Sequence, residues 1–108
     1  MGGSGTTTDH GRPPGDISCE DLSFHTILSS PKLSNIAQLV ANDVLVLSLS
    51  QKDGADIIVA TTQSGMIAGY VSSPMQSRLA KCMKEGHQYV AVIEEIDAAL
   101  CRIFIRHA

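Results

Sequence analysis

Apolar residues in the middle of the chain come in short runs separated by turn residues, which is the pattern of a β-meander. The runs Val44 to Ser50 and Ile57 to Ala60 each predict a strand, because β-branched and aliphatic side chains pack well on a pleated sheet. Asp53 and Gly54 lie between the two runs. Both tolerate the positive φ angles of a type I′ turn, so the pair predicts a hairpin. Residues 66–71 predict a further strand.

Gly69 lies inside this last strand. Glycine weakens a strand interior, so its presence predicts either a bend in the sheet or the close approach of another segment of backbone. We therefore expect a larger residue at this position to destabilise the fold.

The chain on either side of the meander predicts two helices and three more strands. Ser30-Pro31 and Ser73-Pro74 are signals for helix entry, because serine caps a helix and proline fits its first turn. The apolar face of the first helix consists of Leu33, Ile36, Ala37 and Val40, and that of the second of Met75, Leu79, Cys82 and Met83. The three further strands are predicted over residues 22–28, 87–93 and 100–106.

The second helix carries signals at both of its ends. Gln76 stands three residues after Ser73, which predicts a capping box at the start of the helix. Gly86 predicts its C-terminal stop, because glycine readily adopts the left-handed conformation found there.

These elements predict an α+β fold with the order β-α-β-β-β-α-β-β. Six strands with only two short helices favour a small, mainly antiparallel sheet that forms a partly closed, OB-like β-barrel. We expect residues 19–108 to form this single compact domain. Residues 1–18 are rich in Gly, Thr and Pro, and we expect them to be a disordered tail.

The two helix-entry signals belong to segments that lie 43 positions apart, Ser29-Ser30-Pro31 and Ser72-Ser73-Pro74. Apolar helix positions match at the same offset, which predicts an internal βαββ repeat. Two unrelated helices with the same capping chemistry would give the same pattern, so both interpretations stay open.

Charge and hydropathy narrow the range of functions. The formal net charge is −3, from 11 acidic and 8 basic side chains. This balance disfavours a broad nucleic-acid surface, which needs an excess of Lys and Arg, but it permits a local basic patch. No apolar run spans a membrane and no secretory signal opens the sequence, so we expect an intracellular protein, cytoplasmic or nuclear, with no membrane partner.

The chain offers little support for metal binding or catalysis. Cys19, Cys82 and Cys101 are an odd number without a C-x-x-C pair, so we expect reduced, buried cysteines and no metal site. The histidines are isolated in sequence, and no nucleophile, phosphate-binding or dinucleotide motif occurs. The sequence therefore predicts a non-enzyme without a cofactor.

Two spaced motifs carry a resemblance to a known family. D-x-x-D-I-x-V begins at Asp53, G-x-x-x-G-Y begins at Gly65, and a helix and Gly86 follow. This series resembles the central signature of HIRAN domains. The likeness covers residues 22–106 at most, and its motif core spans fewer than 35 residues. It implies a modified OB-like barrel of six strands and two helices.

The chain departs from that family in the residues that hold DNA. HIRAN domains that bind DNA ends commonly carry an Asn-Pro-aromatic-Asp loop. The matching positions here are Ser50, Gln51, Lys52 and Asp53, so only the aspartate is retained and a lysine replaces the aromatic residue. The family's strand alanine is replaced by Asp56.

Two functions from different classes follow. The first is a non-catalytic protein-interaction or assembly module with a HIRAN-like barrel and a protein partner. The alternative is a domain of a DNA-processing protein that binds the end of a single-stranded nucleic acid. In that case Tyr70 would stack on a base, Asp53 would accept a hydrogen bond from a terminal hydroxyl, and Lys52 with Arg78 would contact phosphate.

Overall fold

The computed structural model describes residues 17–108. Residues 1–16, which make up most of the predicted tail, lie outside the described residues. The last two residues of that tail contact the domain. The Arg78 guanidinium donates a hydrogen bond to the Ile17 carbonyl, and the Ser18 hydroxyl donates one to the Asp21 carboxylate. Within residues 17–108, no helix has the length and apolar character needed to cross a membrane.

Within residues 17–108, six strands and two α-helices follow one another in the predicted order. A short 3₁₀ helix, Cys19–Asp21, precedes them. The helices are α1 (Leu33–Ile36) and α2 (Gln76–Lys84). The strands are β1 (Phe24–Ile27), β2 (Val44–Lys52), β3 (Ala55–Thr61), β4 (Ile67–Val71), β5 (Tyr89–Asp97) and β6 (Leu100–His107).

All six strands form one antiparallel sheet with the order β1-β6-β5-β2-β3-β4. The predicted α+β class and the predicted antiparallel pairing are therefore confirmed. The sheet is not closed, because β1 and β4 are its two edge strands. A single isolated bridge joins Ser29, just after β1, to Tyr70 of β4. Each of these two residues donates its backbone N–H to the other's carbonyl, at 2.7 and 2.9 Å. The partly closed barrel stays a prediction.

The connectivity of the sheet is symmetric between the two halves of the chain. If the labels β1, β2 and β3 are exchanged with β4, β5 and β6, the strand order becomes β4-β3-β2-β5-β6-β1. This is the original order read from the other edge of the sheet. A repeated βαββ unit would produce this topology. The helices differ, because α1 has four residues and α2 has nine. The repeat itself stays a prediction.

The last strand shows how the sheet buries one set of side chains. Cys101, Ile103 and Ile105 are fully buried, whereas Arg102 and Arg106 are exposed, as the alternation in sequence predicts. The largest other fully buried side chains come from nearly every part of the fold, and they are Leu22, Ile36, Leu45, Ile58, Leu79, Tyr89 and Ile93.

The first helix is shorter than its apolar pattern predicts. Only Ile36 of the predicted face is fully buried, while Leu33 and Val40 are 55% and 65% exposed. The helix is followed by a turn-rich segment, residues 37–43, that leads into β2. The Asp43 carboxylate accepts a hydrogen bond from the Val40 N–H within this turn, and Asn42 has a φ of +77°. The prediction that Val40 belongs to a buried helix face is wrong.

The second helix begins differently from the prediction and ends as predicted. No capping box forms: the Ser73 hydroxyl accepts from the Met75 N–H and not from the Gln76 N–H, and the Gln76 side-chain amide donates to the Asp56 carbonyl at 3.0 Å. At the other end, Gly86 has a φ of +102°. The Gly86 N–H donates to the Met83 carbonyl and the His87 N–H to the Cys82 carbonyl, which together form a Schellman motif.

The prediction that all cysteines are reduced is wrong. Cys19 of the 3₁₀ helix and Cys82 of α2 form a disulfide across 63 positions of sequence. Their pairing depends on the fold, which lays the start of the domain against the end of α2, and no local spacing reveals it. Cys101 remains a free thiol in the core, and burial raises its pKa.

Gly69 lies where β4 passes directly beneath the segment that follows β1. A Cβ atom at this position would lie 2.6 Å from Leu28 Cγ and 2.9 Å from the Ser29 carbonyl oxygen. We expect Gly69→Ala to destabilise the domain by about 1–3 kcal/mol, because the backbone of residue 29 cannot move aside without breaking its bridge. Denaturant unfolding measures this change.

Ser72→Ala is the matched control, because Ser72 is exposed and lies just after the same strand. We expect its unfolding midpoint to equal that of the wild type. A Gly69→Ala midpoint equal to that of Ser72→Ala would show that this crossing does not constrain the sheet.

Candidate functional site

A groove of about 520 Å³ lies beside β4, between the β2–β3 hairpin and the start of α2. Tyr70 of β4 and Lys52 of β2 line it, and Lys32, which precedes α1, lines it as well. The groove is completed by Ser30, Asp56, Ile57, Ile58, Val71, Ser72 and Gln76.

A second depression of about 300 Å³ continues along α2. It shares Asp56 and Gln76 with the first and adds Lys81 and Lys84. All four lysines of the chain therefore line two adjoining cavities. We refer to these two cavities together as the lysine groove. The cations gather here although the chain as a whole is acidic.

Backbone hydrogen bonds fix the positions of the residues that line the lysine groove. The Lys32 N–H donates to the Ala68 carbonyl at 2.8 Å, which places Lys32 against β4. Tyr70 pairs with Val59 of β3 on one side and with Ser29 on the other. Tyr70 is half-buried and lines the groove from this position in the sheet.

The β2–β3 hairpin determines where Lys52 lies. Asp53 and Gly54 have φ values of +54° and +82°, so the predicted hairpin turn at these residues is confirmed. Lys52 and Ala55 are partners in the ladder on either side of this turn. Lys52 therefore belongs to a strand end and its position is set by the ladder.

The structure brings together two of the four residues that the sequence proposes for nucleic-acid binding. Lys52 and Tyr70 both line the groove. Asp53 lies in the hairpin turn next to Lys52 and is not among the lining residues. Arg78 does not line it either, because its guanidinium donates to the Ile17 carbonyl. Its Nε is buried without a hydrogen-bond partner among residues 17–108.

Asp56 is the one acidic side chain of the lysine groove, and its charge is already compensated. Lys84 Nζ lies 2.6 Å from Asp56 Oδ2, and the Gln51 amide donates to Oδ1 at 3.0 Å. The hydrogen bond from Lys84 lowers the pKa of the Asp56 carboxyl, against a smaller opposing effect of desolvation. Lys32, Lys52 and Lys81 have no carboxylate within 4 Å in the described part of the chain.

Sequence reasoning missed Lys32 and Asp56 as members of this site. Lys32 stands 20 positions before Lys52, and only the crossing of the post-β1 segment over β4 brings the two side chains to one groove. One hydrogen bond and one ion pair join Asp56 of the hairpin to α2, from Gln76 and from Lys84, and place Asp56 there. Lys81 and Lys84 share an exposed face of α2, and this spacing was the sequence signal for the part of the lysine groove along that helix.

The lysine groove offers an aromatic side chain, three ammonium groups without a carboxylate partner among residues 17–108, and several hydroxyl and amide groups. Such a surface can stack a planar ring and attract phosphate.

Comparisons with protein-family models, with curated proteins and with solved structures find no match to this chain.

The ion pair between Asp56 and Lys84 predicts a specific pH dependence. Because the folded pKa of Asp56 is lowered, its contribution to stability is present above the unfolded pKa and is lost as the pH falls through the folded value. Lys84→Met should raise the pKa of Asp56 toward its ordinary value. Titration of the carboxyl carbon by NMR measures this change.

Lys81→Met is the matched control, because Lys81 lines the same cavity without an ion pair to any described carboxylate. We expect it to leave the Asp56 titration unchanged. Equal Asp56 pKa values in the wild type and in Lys84→Met would mean that the ion pair does not exist in solution.

Proposed function

We propose that this domain is a non-catalytic binding module that holds the end of a single-stranded nucleic acid in the lysine groove. The observation that carries the proposal is the convergence of all four lysines of an acidic chain on two adjoining cavities, the first of which is lined by Tyr70 together with Lys32 and Lys52. Scattered lysines would serve solubility, whereas lysines that line a groove with an aromatic residue suit a ligand with both rings and phosphates.

Each residue then has a distinct role. Tyr70 stacks on a terminal base, and Lys32 and Lys52 contact the adjacent phosphates. Lys32 takes the place first expected of Arg78, because the Arg78 guanidinium is engaged with the Ile17 carbonyl. Asp53, next to Lys52 in the hairpin turn, accepts a hydrogen bond from the terminal hydroxyl.

The proposal includes a HIRAN-like fold, with the sheet bent into a partly closed, OB-like barrel built from two βαββ halves. Three observations support it. The Ser29–Tyr70 bridge joins the two edge strands, the backbones cross closely at Gly69, and the strand order is symmetric between the two halves. The proposal also keeps an intracellular location for the chain, in which the Cys19–Cys82 disulfide would be exposed to reducing thiols.

A second candidate function is a protein-interaction or assembly module. It is favoured by three large apolar side chains that are exposed on α1 and at the start of β4. Leu33 is 55% exposed, Met66 52% and Ile67 40%. Neighbouring exposed apolar residues are typical of protein interfaces. This surface is separate from the lysine groove, because none of the three residues lines either cavity.

Fluorescence anisotropy with a labelled single-stranded oligonucleotide at low salt tests the first function. We expect weak binding that requires a free strand end. Tyr70→Ala should weaken it by about 1–3 kcal/mol, the usual contribution of one base stacked on an aromatic ring. Tyr70→Phe keeps the ring and is the matched control, so its affinity should stay close to that of the wild type.

Salt dependence tests the role of the lysines separately. Each phosphate contact on a single strand contributes about −0.7 to the slope of log affinity against log salt, so Lys32→Gln with Lys52→Gln should reduce the slope by about 1.4. Arg106→Gln changes an exposed charge outside the groove and should leave the slope unchanged.

No binding by the wild type at high micromolar protein, or equal binding to free and blocked ends, would refute end recognition and leave the protein-interaction module.

A further inference from the structure

A cluster of potential metal ligands lies at the end of α2, outside the lysine groove. Cys19 Sγ, a carboxylate oxygen of Glu85 and a ring nitrogen of His87 all lie within 4.8 Å of one another. Cys82 Sγ lies beside this cluster because it is bonded to Cys19 Sγ, and Glu85 Oε1 lies 3.9 Å from Cys19 Sγ. Two sulfurs, an imidazole and a carboxylate make a donor set that suits zinc.

The end of the helix brings these groups together. The chain reverses direction at Gly86 through the Schellman motif. The His87 N–H therefore donates to the Cys82 carbonyl, and residue 87 lies close to residue 82. The 3₁₀ helix is held against this end by a second contact, a hydrogen bond of 2.6 Å from the Tyr89 hydroxyl to the Cys19 carbonyl. The ligands are thus positioned by the backbone from both sides.

The tautomer of His87 can be worked out from its neighbours. His107 Nδ1 lies 3.0 Å from the Ala108 oxygen, which can only accept, so that nitrogen carries the proton. In a neutral ring His107 Nε2 is then an acceptor, and His87 Nδ1, 3.0 Å away, donates to it. His87 Nε2 is left with a free lone pair. An imidazole whose other nitrogen donates to an acceptor is the usual arrangement of a zinc-bound histidine.

We propose that Cys19, Cys82, Glu85 and His87 form a zinc site that takes up the metal once the disulfide is reduced. His107 is a positioning residue, because it orients the His87 ring without binding the metal. In a tetrahedral site the two sulfurs lie about 3.8 Å apart, so the metal and the disulfide exclude one another. The site is independent of the proposed binding function, because none of its ligands lines the lysine groove.

The reaction needs a reductant, and a low-molecular-weight thiol supplies it. Two such thiols give two electrons and two protons to the disulfide, become a disulfide themselves and leave Cys19 and Cys82 as thiols. Zinc then binds both sulfurs as thiolates and releases their two protons to water. The segment at Cys19 stays fastened to α2 in both states, by a covalent bond under oxidising conditions and by the metal under reducing ones.

Metal titration of the full chain tests the proposal, with Zn²⁺ or Co²⁺ alone as the probe and a phosphine as the reductant. We expect the reduced protein to bind one metal ion per chain, and the oxidised protein to bind at least 100-fold more weakly. Bound Co²⁺ should show tetrahedral d–d absorption and a thiolate-to-metal charge-transfer band. Equal metal binding by the oxidised and reduced proteins would overturn the proposal.

Variants identify the ligands. Cys82→Ala should remove the charge-transfer intensity of one thiolate, whereas Cys101→Ala, which removes the remaining, buried thiol, should leave the spectrum unchanged. His87→Gln keeps both cysteines and should weaken binding by about 100-fold, and His107→Gln by about 10-fold because His107 only orients the His87 ring. Wild-type affinity in His87→Gln, or loss of binding in Cys101→Ala, would contradict this ligand set.

Discussion

The crossing of the backbone at Gly69 is the constraint on which the rest of this structure depends. Leu28 and Ser29 pass over β4 so closely that there is no room for a Cβ atom at residue 69. The crossing allows the two backbone hydrogen bonds between Ser29 and Tyr70 and the one from Lys32 to Ala68. It joins the two edge strands of the sheet and at the same time sets Tyr70 and Lys32 beside one another.

Charge is distributed unevenly around this crossing. The β5–β6 hairpin carries charges of both signs, and there Glu94 pairs with His25 and Glu95 with Arg102. All four lysines line the lysine groove, and the single carboxylate of that groove, Asp56, is neutralised by Lys84. A local excess of one sign can attract an anionic ligand even when the net charge is unfavourable, because salt screens distant charges more than near ones.

Local signals in the sequence predicted the local features of the fold. The turn at Asp53-Gly54, the alternation of β6 and the helix stop at Gly86 each depend on residues close together in the chain, and all three are confirmed. The prediction of a capping box was wrong because the Ser73 hydroxyl accepts from the Met75 N–H and the Gln76 side chain donates to a distant carbonyl, that of Asp56. The disulfide and the membership of Lys32 in the groove depend on contacts between distant segments, which no spacing in the sequence encodes.

Tyr70 illustrates the limit of sequence reasoning about the site. A sequence motif indicated that Tyr70 belongs to the site, but the residues that share the groove with it are known only from the folded structure, in which backbone contacts bring them together.

The most direct test of the account is an NMR titration of the backbone amides with a short single-stranded oligonucleotide. We predict shifts concentrated at residues 30–32, 52–56 and 70–72. Shifts confined to the apolar surface of Leu33, Met66 and Ile67, or no shifts at all, would contradict it.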